Sequence, residues 1–466
     1  MSKTKKAAPK AAKTPDQVFN LMARGSDFTA AVRESLAHSS AKLKNTPGIM
    51  YGSLASNQKL CLPIKPFALA YALDSKHLQS GRVFSVIGQD GVGKTTLVYT
   101  LFGWWIPHNI PCAHVEVEGK PMAEDRIRRC LHTNREIADQ MFNTISFMQS
   151  FEFVDAINQI ENWLKVIRDK NSPAYVPESI PAAVAVDTAS KLMPPKEAAG
   201  YHMYAEDPED KKGAKQQSAA EKKNEKKKNT IQELGAGSNL ETSKLTHQWC
   251  RRLATILTKY NALLIWVRHQ NEKVDMQGTP HGGGGSFVPA DVKDQYNRTA
   301  IGGKAMAQNA AWEVVVTREK LDSVVMRDER VKIGQYVKIS VAKNSYGAQR
   351  SCTYELIMVP RTDTETYQEP AIDFSPTLSR ILQFTGLLKI TENKGRITCP
   401  ELNLDGVESQ ELDTSLQANH EVFDDLSMRL GLSCSGPNFK TPPLNTFFTP
   451  KVEEAPDLPL PPNAIE

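Results

Sequence analysis

The chain has 466 residues, a formal net charge of +4 and 40% hydrophobic residues. The length allows one large domain plus appendages, the composition is ordinary for a soluble protein, and the net charge is too small to imply a partner by itself. Its seven cysteines are odd in number and contain no C-x-x-C pair, which argues against a disulfide framework or a zinc site and favours the cytoplasm. No segment has the length of a membrane span or the apolar core of a signal peptide, so we expect no membrane partner.

The first 80 residues change character twice. Residues 1–14 are rich in Lys, Ala and Pro and predict a disordered basic tail that aids solubility, with an arm that contacts nucleic acid as the alternative. Residues 15–45 predict an amphipathic helical segment, which has too few apolar neighbours of its own and would pack on the core or on another subunit. Residues 46–80 contain several Pro and Gly residues and predict an irregular connection to the first core strand.

Residues 82–102 hold a buried strand, a glycine-rich loop and a helix in unbroken order. The loop fits G-x-x-x-x-G-K-[ST], in which backbone N–H groups surround phosphate oxygens. Lys94 would reach the β- and γ-phosphates of ATP, and Thr95 would bind Mg²⁺. A glycine-rich surface turn is the alternative, which the flanking strand and helix disfavour. The predicted nucleotide-binding residues of the loop are Gly88, Gly91, Gly93, Lys94, Thr95 and Thr96.

Two further strands end in carboxylates. Residues 112–118 predict a strand that ends in Glu116 and Glu118, and residues 182–187 predict a strand that ends in Asp187. An Asp after a buried strand, downstream of a phosphate-binding loop, is typical of a Mg²⁺-ordering Walker B residue, although it also serves as a helix cap. Residues 124–170, between these strands, show long helical patterns.

The next part of the chain alternates loops with core elements. Residues 205–230 are lysine-rich and predict a loop, residues 240–260 a helix, and residues 263–267 a buried strand followed by Arg268, His269 and Gln270. Residues 271–303 are glycine-rich and predict a long loop. Three runs at 312–318, 336–343 and 352–359 predict a β-meander that continues the sheet.

The carboxyl-terminal hundred residues have a weaker pattern. Residues 46–360 form the predicted core, residues 361–440 a small module with a helix and hairpin at 378–398, and residues 441–466 a Pro-rich acidic tail without regular structure.

Six segments occur in the order of a known family: GRVFSVIGQDGVGKTT, CAHVEVE, AVAVDTASKLMPPKEAAG, ALLIWVRHQ, IGGKA and VKISVAKN. Together they resemble the RecA-like recombinases, in a divergent form of the kind that bacteriophages encode. The match covers residues 66–359. The resemblance implies an α/β P-loop NTPase of the RecA type, with a mainly parallel twisted sheet flanked by helices, a helical amino-terminal oligomerisation segment and a small carboxyl-terminal module. It also implies ATP and Mg²⁺ as cofactors, and the host bacterial cytoplasm for a phage-encoded protein.

The resemblance assigns catalytic roles by position. Glu118 matches the carboxylate that activates the attacking water, with Glu116 as the other candidate. His269 matches the polar γ-phosphate sensor, and Gln270 lies one residue out of register. Lys343 matches a lysine that approaches ATP from the adjacent subunit.

Several positions depart from the family. Ser345 stands where a second trans lysine is expected, Gln308 replaces an aromatic residue after IGGKA, and no aromatic residue follows Glu118 to stack on adenine. The resemblance implies that the first DNA-binding loop, which is short in the family, would carry the lysine-rich insertion at 205–230.

The resemblance implies an ATP-dependent recombinase that forms filaments on single-stranded DNA and exchanges strands with double-stranded DNA. Its partners would be DNA, further copies of itself in a helical filament or ring, and a single-strand-binding protein or loader. A hexameric helicase or translocase and a non-exchanging ATP-binding mediator are the alternatives. The predicted DNA-binding residues of the glycine-rich loop are Phe287, Lys293, Arg298, Gly302 and Gly303.

Overall fold

The computed structural model describes residues 59–193, 236–272, 298–300, 303–326, 329–358, 370–393, 395–432 and 439–445. The predictions for residues 1–14, 15–45 and 205–230, and for Phe287, Lys293 and Gly302, lie outside the described residues.

The described residues form strands, helices and four short 3₁₀ turns. The strands are β1 (Lys59–Pro63), β2 (His77–Gln79), β3 (Val83–Gly88), β4 (Cys112–Glu116), β5 (Ser146–Gln149), β6 (Ala182–Asp187), β7 (Ala262–Glu272), β8 (Arg298–Ala300), β9 (Trp312–Met326), β10 (Glu329–Asn344), β11 (Ser351–Ile357), β12 (Ile372–Asp373), β13 (Thr391–Asn393), β14 (Arg396–Cys399), β15 (Leu404–Val407) and β16 (Phe439–Lys440). The helices are α1 (Phe67–Ala72), α2 (Lys94–Trp105), α3 (Glu124–Leu131), α4 (Arg135–Phe142), α5 (Phe153–Arg168), α6 (Ala236–Lys259), α7 (Gly303–Asn309), α8 (Leu378–Thr385), α9 (Ser409–Ala418) and α10 (His420–Arg429). The 3₁₀ turns are Ile106–His108, Ala189–Lys191, Ser375–Thr377 and Pro400–Leu402.

One large sheet organises the protein. Within the described residues its strand order is β12-β11-β10-β9-β3-β7-β6-β4-β5, and β8 pairs with the end of β7. The strands from β9 to β5 run parallel to one another, whereas β9, β10, β11 and β12 are antiparallel. The fold is therefore α/β, with a large and mostly parallel sheet flanked by helices.

The central strands are buried on both faces. On β7, Leu263 and Ile265 pack in one apolar cluster with α2, whereas Leu264 and Trp266 pack in a second cluster with α5 and α6. Successive side chains of a strand point to opposite faces, so a strand covered on both sides reads as a continuous apolar run. That pattern predicted β6 and the centre of β7 from sequence, and the structure confirms both strands.

The segment before the first core strand is not irregular as predicted. From Lys59 onward it contains β1, α1 and β2, with β1 and β2 paired antiparallel. These elements have only three to six residues each. Elements this short carry little periodicity, and pairing between distant residues stabilises them rather than local preference.

Two differences concern the region between Cys112 and Arg168. β4 ends at Glu116, two residues earlier than predicted. The helical pattern at 124–170 contains a strand, β5, which pairs in parallel with β4 at the edge of the sheet. A four-residue strand between two helices is decided by its partner strand, so the sequence pattern did not predict it.

The loop predicted at 271–303 begins later and ends earlier than expected. β7 continues to Glu272, and β8 pairs antiparallel with its last residues, Gln270 with Ala300 and Glu272 with Arg298. The predicted β-meander is confirmed, with longer strands β9, β10 and β11.

The carboxyl-terminal module contains the predicted helix and hairpin, α8 and β13–β14, and continues with β15, α9 and α10. It contacts the segment before the core, since the rings of Phe67 and Phe423 lie 5.5 Å apart and Lys76 forms an ion pair with Asp424.

A short segment at 439–445, which we call the C-terminal strap, lies beside the end of α2. Its strand β16 pairs in parallel with β1. The backbone N–H of Asn445 donates to the carbonyl of Pro107 at 2.7 Å, and the Asn445 side chain lies 3.3 Å from that of Asn109. His108 Nδ1 lies 2.7 Å from the carbonyl of Pro442. The strap therefore covers the carboxyl end of α2.

Because Asp413 is buried, we expect the free energy of unfolding to depend on pH. Burial, and then the charge of Asp373, raise the pKa of Asp413 to about 7, while a hydrogen bond from Gln417 opposes them. The folded protein binds this proton more tightly than the unfolded chain, whose Asp has a pKa near 3.9. The stabilisation is complete below about pH 4 and is lost as the pH rises to about 7.

Asp413→Asn should therefore be more stable than the wild type at pH 8, by up to about 4 kcal/mol, and similar to it at pH 4. Urea unfolding at both pH values measures the difference. Asp125→Asn, at an exposed position on α3, is the control and should change neither value. Equal pH dependence in the wild type and Asp413→Asn would contradict the prediction.

Candidate functional site

A glycine-rich turn connects β3 to α2 at the carboxyl edge of the parallel strands, and we call residues 88–93 the glycine turn. A Cβ atom on Gly88 would lie 2.6 Å from the carbonyl oxygen of Val316, and one on Gly93 would lie 2.9 Å from a methyl carbon of Leu356. Gly93 also has a φ of +92°. The path of the turn therefore requires glycine at both positions, whatever it binds.

The tip of the glycine turn is held by the antiparallel half of the sheet. Gln335, a buried residue of β10, donates from Nε2 to the carbonyl of Gly91 at 3.0 Å. Gly91, like Gly93, has a left-handed backbone conformation. Turns with left-handed residues are typical of backbone concavities that bind anions, and the amino terminus of α2 adds the positive end of its dipole.

Lys94 is the first residue of α2, and its side chain folds back over the glycine turn. Nζ donates to the carbonyls of Gly88 and Gln89 at 3.0 and 2.7 Å, and the residue is only 6% exposed. Burial lowers the pKa of Lys94, whereas the carboxylates of Asp90, Asp187 and Glu118 oppose that shift. A buried amine beside backbone oxygens can exchange them for the oxygens of an anion that enters the turn.

Thr95 and Asp187, the two residues assigned to Mg²⁺ from the sequence, are in direct contact. The Thr95 hydroxyl donates to Asp187 Oδ2 at 2.5 Å, and the Thr188 hydroxyl donates to Oδ1 at 2.9 Å. Burial raises the pKa of Asp187, but the neighbouring His114 and the two hydroxyls outweigh it, so the net shift is downward. Thr96, the next residue of α2, is buried with its hydroxyl unpaired in the described residues.

One hydroxyl and one carboxylate fit Mg²⁺, which keeps most of its own water and takes few protein ligands. Within the described ranges no cluster of three or more His, Cys, Asp or Glu residues could hold a metal ion. The donor set at Thr95 and Asp187 therefore suits a cation that arrives with a polyphosphate rather than a resident metal.

His114, on β4, was not selected from the sequence. Its Nε2 atom is buried without a hydrogen-bond partner in the described residues and lies 3.9 Å from Asp187 Oδ2. Its Nδ1 lies 3.0 Å from the hydroxyl of Tyr99 on α2. The His114 ring therefore lies beside the Asp187 carboxylate, but beyond hydrogen-bonding distance.

Glu118 lies just beyond β4 and faces the glycine turn. Its Oε1 lies 2.7 Å from Nε2 of His269 and 3.1 Å from Nζ of Lys191. Burial raises the pKa of Glu118, but hydrogen bonds with His269, Thr188 and Lys191 outweigh it and lower the pKa to about 2. Glu118 is therefore ionised at neutral pH.

Glu116, the rival of Glu118, is engaged differently. Its Oε1 accepts the backbone N–H of Glu118 at 2.8 Å, so it supports the turn that carries Glu118. The geometry favours Glu118 as the carboxylate available to a bound molecule.

His269 joins the glycine turn to β7. Its Nδ1 contacts the carboxylate of Asp90, a turn residue, and its backbone N–H donates to the Ser190 hydroxyl at 3.2 Å. The neighbouring Gln270 instead pairs with Ala300 of β8, and its side-chain oxygen is buried without a partner in the described residues. The structure thus brings His269, rather than Gln270, together with Glu118.

Lys343 lies away from this site in its own chain. It pairs with Glu313 on β9, and Glu313 pairs with Ser85 on β3. Ser85 is three residues before Gly88, or about 10 Å along the strand. The Lys343 amine donates to the carbonyls of Ala307 and Gln308 at 2.9 and 2.8 Å, which places it at the carboxyl end of α7.

Two of the predicted DNA-binding residues lie in the described part of the chain. Arg298 begins β8, and Gly303 begins α7. β8 pairs with the end of β7, which is three residues after His269, and Ala300 of β8 lies opposite Gln270. Phe287, Lys293 and Gly302 remain predictions from the sequence.

Three residues of the site were missed by the sequence reasoning: Asp90, Lys191 and His114. Asp90 lies inside the recognised loop pattern at an unrestricted position, so only its contact with His269 distinguishes it. Lys191 follows Asp187 by four residues, and that proximity to a strand-end carboxylate was the available signal.

The glycine turn allows a stability prediction with a matched control. Gly93→Ala should destabilise the protein by about 2–4 kcal/mol, since it combines a left-handed backbone with a close contact to Leu356. Gly386→Ala, at a φ of +64° with no atom within 4 Å of the added carbon, should cost only about 1–2 kcal/mol. Urea unfolding compares the two, and equal losses would show that the contact with Leu356 relaxes.

The chain was compared with known proteins. No protein-family model matches it, and no curated protein matches it. Separately, none of the helices in the described ranges combines the length and apolarity that crossing a membrane requires.

Proposed function

We propose that this protein is a DNA-dependent ATPase of the RecA type, a P-loop NTPase that forms filaments on single-stranded DNA and exchanges strands with double-stranded DNA. The observation that carries the proposal is the convergence at one sheet edge of three pairs of groups. These are Lys94 with the glycine turn, Thr95 with Asp187, and Glu118 with His269.

Each pair supplies one part of phosphoryl transfer. The glycine turn and Lys94 would bind the phosphate oxygens of ATP, and Thr95 with Asp187 would hold Mg²⁺, which would supply positive charge to those oxygens. Glu118, ionised and fixed by His269, orients the attacking water and accepts its proton.

The same site offers a path from nucleotide to DNA. His269 contacts both Asp90 of the glycine turn and Glu118, and it lies on β7, which runs on into the predicted DNA-binding loop. A change in the partners of His269 would be transmitted along β7 to its pairing with β8. His269 is then the residue whose contacts change with both ATP and DNA.

A non-exchanging mediator is the second candidate. Lys343, the predicted trans lysine, is bonded to carbonyls of its own chain, and Ser345 replaces the expected second lysine. A protein with weakened trans contacts would bind ATP and a recombinase but exchange strands poorly.

ATP turnover with and without single-stranded DNA, together with electron microscopy, tests the proposal. A recombinase should show turnover stimulated by single-stranded DNA, helical filaments and strand exchange. Rings with unwinding activity would support a helicase, and ATP binding without exchange would support a mediator. A protein that neither binds nor hydrolyses ATP would refute the proposal.

Phe287→Ala should impair strand exchange more than DNA binding. Stacking of one aromatic residue on a base contributes only about 1–3 kcal/mol to affinity, so binding falls modestly while the alignment of bases is lost. Phe384→Ala, which removes an 86%-exposed phenylalanine of the carboxyl-terminal module, is the matched control. Normal exchange by Phe287→Ala would remove Phe287 from the DNA-binding set.

A further inference from the structure

The candidate site contains a second lysine that the family resemblance does not assign. Lys191 ends the 3₁₀ turn after β6, and its Nζ lies 3.1 Å from Glu118 Oε1. Its positive charge also contributes to the lowered pKa of Lys94, although less than burial does. Lys191 therefore lies close enough to act on both groups that would surround a terminal phosphate.

The turn that carries Lys191 is fixed at several points. The backbone N–H of Lys191 donates to the carbonyl of Thr188, and the Ser190 hydroxyl accepts the backbone N–H of His269. Two residues further, the N–H of Met193 donates to the carbonyl of Phe151. A rigid base with a side chain that is 51% exposed lets the amine follow an anion without moving the backbone.

The site contains more carboxylates than cations that could contact a bound polyphosphate. Asp90, Glu118 and Asp187 bring three carboxylates to the region that would receive a polyphosphate. Lys94 is buried, and its amine is hydrogen-bonded to the glycine turn. Lys343 lies in register with Ser85, away from the glycine turn, and its amine is hydrogen-bonded to a carbonyl of α7. In its own chain, Lys191 is positioned to offset the added negative charge.

We infer that Lys191 supplies, from the same chain, a positive charge that stabilises the transition state of ATP hydrolysis; this inference rests on the proposed function. In that step the oxygen of water forms a bond to the γ-phosphorus, and the bond from that phosphorus to the β,γ-bridging oxygen breaks. ADP leaves with the electron pair, the water proton passes to Glu118 and then to solvent, and the products are ADP and inorganic phosphate. Lys191 contacts the transferring phosphoryl oxygens while retaining Glu118 in place.

Removing Lys191 should leave the fold intact. An ion pair with a half-exposed lysine contributes little to stability, because solvent screens it. A loss of activity in Lys191→Ala therefore reports on chemistry rather than unfolding, and thermal unfolding of the variant checks this.

The test compares Lys191→Ala and Lys191→Arg with the control Lys170→Ala. Lys170 is exposed and lies two residues after Arg168, the last residue of α5. We expect the kcat of Lys191→Ala to fall about 10- to 100-fold, somewhat less than for a fully buried donor. Lys191→Arg should recover most of that loss, Lys170→Ala should match the wild type, and a fluorescent ADP analogue should bind all four proteins similarly.

Three results would overturn the inference. Unchanged kcat in Lys191→Ala would exclude a catalytic charge while leaving the ATPase proposal intact. Failure of Lys191→Ala to bind the ADP analogue would indicate a binding or structural role instead. A wild-type protein without ATP turnover would overturn both the inference and the proposed function.

Discussion

Lys94→Ala is expected to lower ATP turnover by about 10³-fold or more, the effect of removing a buried charge that follows the transferring phosphate. The amine already lies on the carbonyls of Gly88 and Gln89, so it needs no large movement to reach an anion in the glycine turn. Steady-state hydrolysis at saturating ATP measures the loss.

The matched control is Lys65→Ala, which also removes a lysine whose pKa burial lowers. The charge of Lys65 contributes to the lowered pKa of His108, which lies just beyond the end of α2 that is opposite Lys94. It should change stability without abolishing turnover. Near wild-type hydrolysis by Lys94→Ala would show that the glycine turn is not the phosphate site.

Glu118→Gln is expected to reduce hydrolysis by about 10²- to 10⁴-fold while nucleotide binding persists. The amide keeps the shape of the side chain but can no longer accept the water proton. If the protein assembles on DNA in the ATP state, the variant should also form long-lived filaments. Single-turnover hydrolysis and equilibrium binding of an ATP analogue separate the two effects.

Glu116→Gln is the matched comparison. In the wild type, Glu116 Oε1 accepts the backbone N–H of Glu118 at 2.8 Å, and the amide oxygen of glutamine can accept the same hydrogen bond. It should retain most of the activity. The reverse ranking, with Glu116→Gln inactive and Glu118→Gln active, would assign the catalytic carboxylate to Glu116.

The elements with strong local patterns were predictable from the sequence. β6 has the bounds expected of it, because five consecutive apolar residues followed by an acid, Asp187, identify a parallel strand and its end. The glycine turn was predictable for a similar reason, because the glycine, lysine and threonine residues that define its pattern lie within eight consecutive positions of the sequence.

The pairings that complete the site were not predictable in this way. Asp90 meets His269, and Glu118 meets Lys191, only because β3, β7, β4 and β6 lie side by side. Even the need for glycine at position 88 comes from a carbonyl oxygen of Val316, on another strand. Sequence spacing describes neighbours along the chain, whereas these contacts depend on strand order.

The C-terminal strap has a consequence for synthesis on the ribosome. The pairing of Lys59 with Phe439 closes a loop of about 380 residues, and the contact of Asn445 with Pro107 completes the end of α2. Until the last of these residues has emerged, the helix that begins at the glycine turn lacks the cover at its far end. A nascent chain must therefore hold an incomplete α/β fold for most of its translation, so pairing of the strap is a late step in co-translational folding.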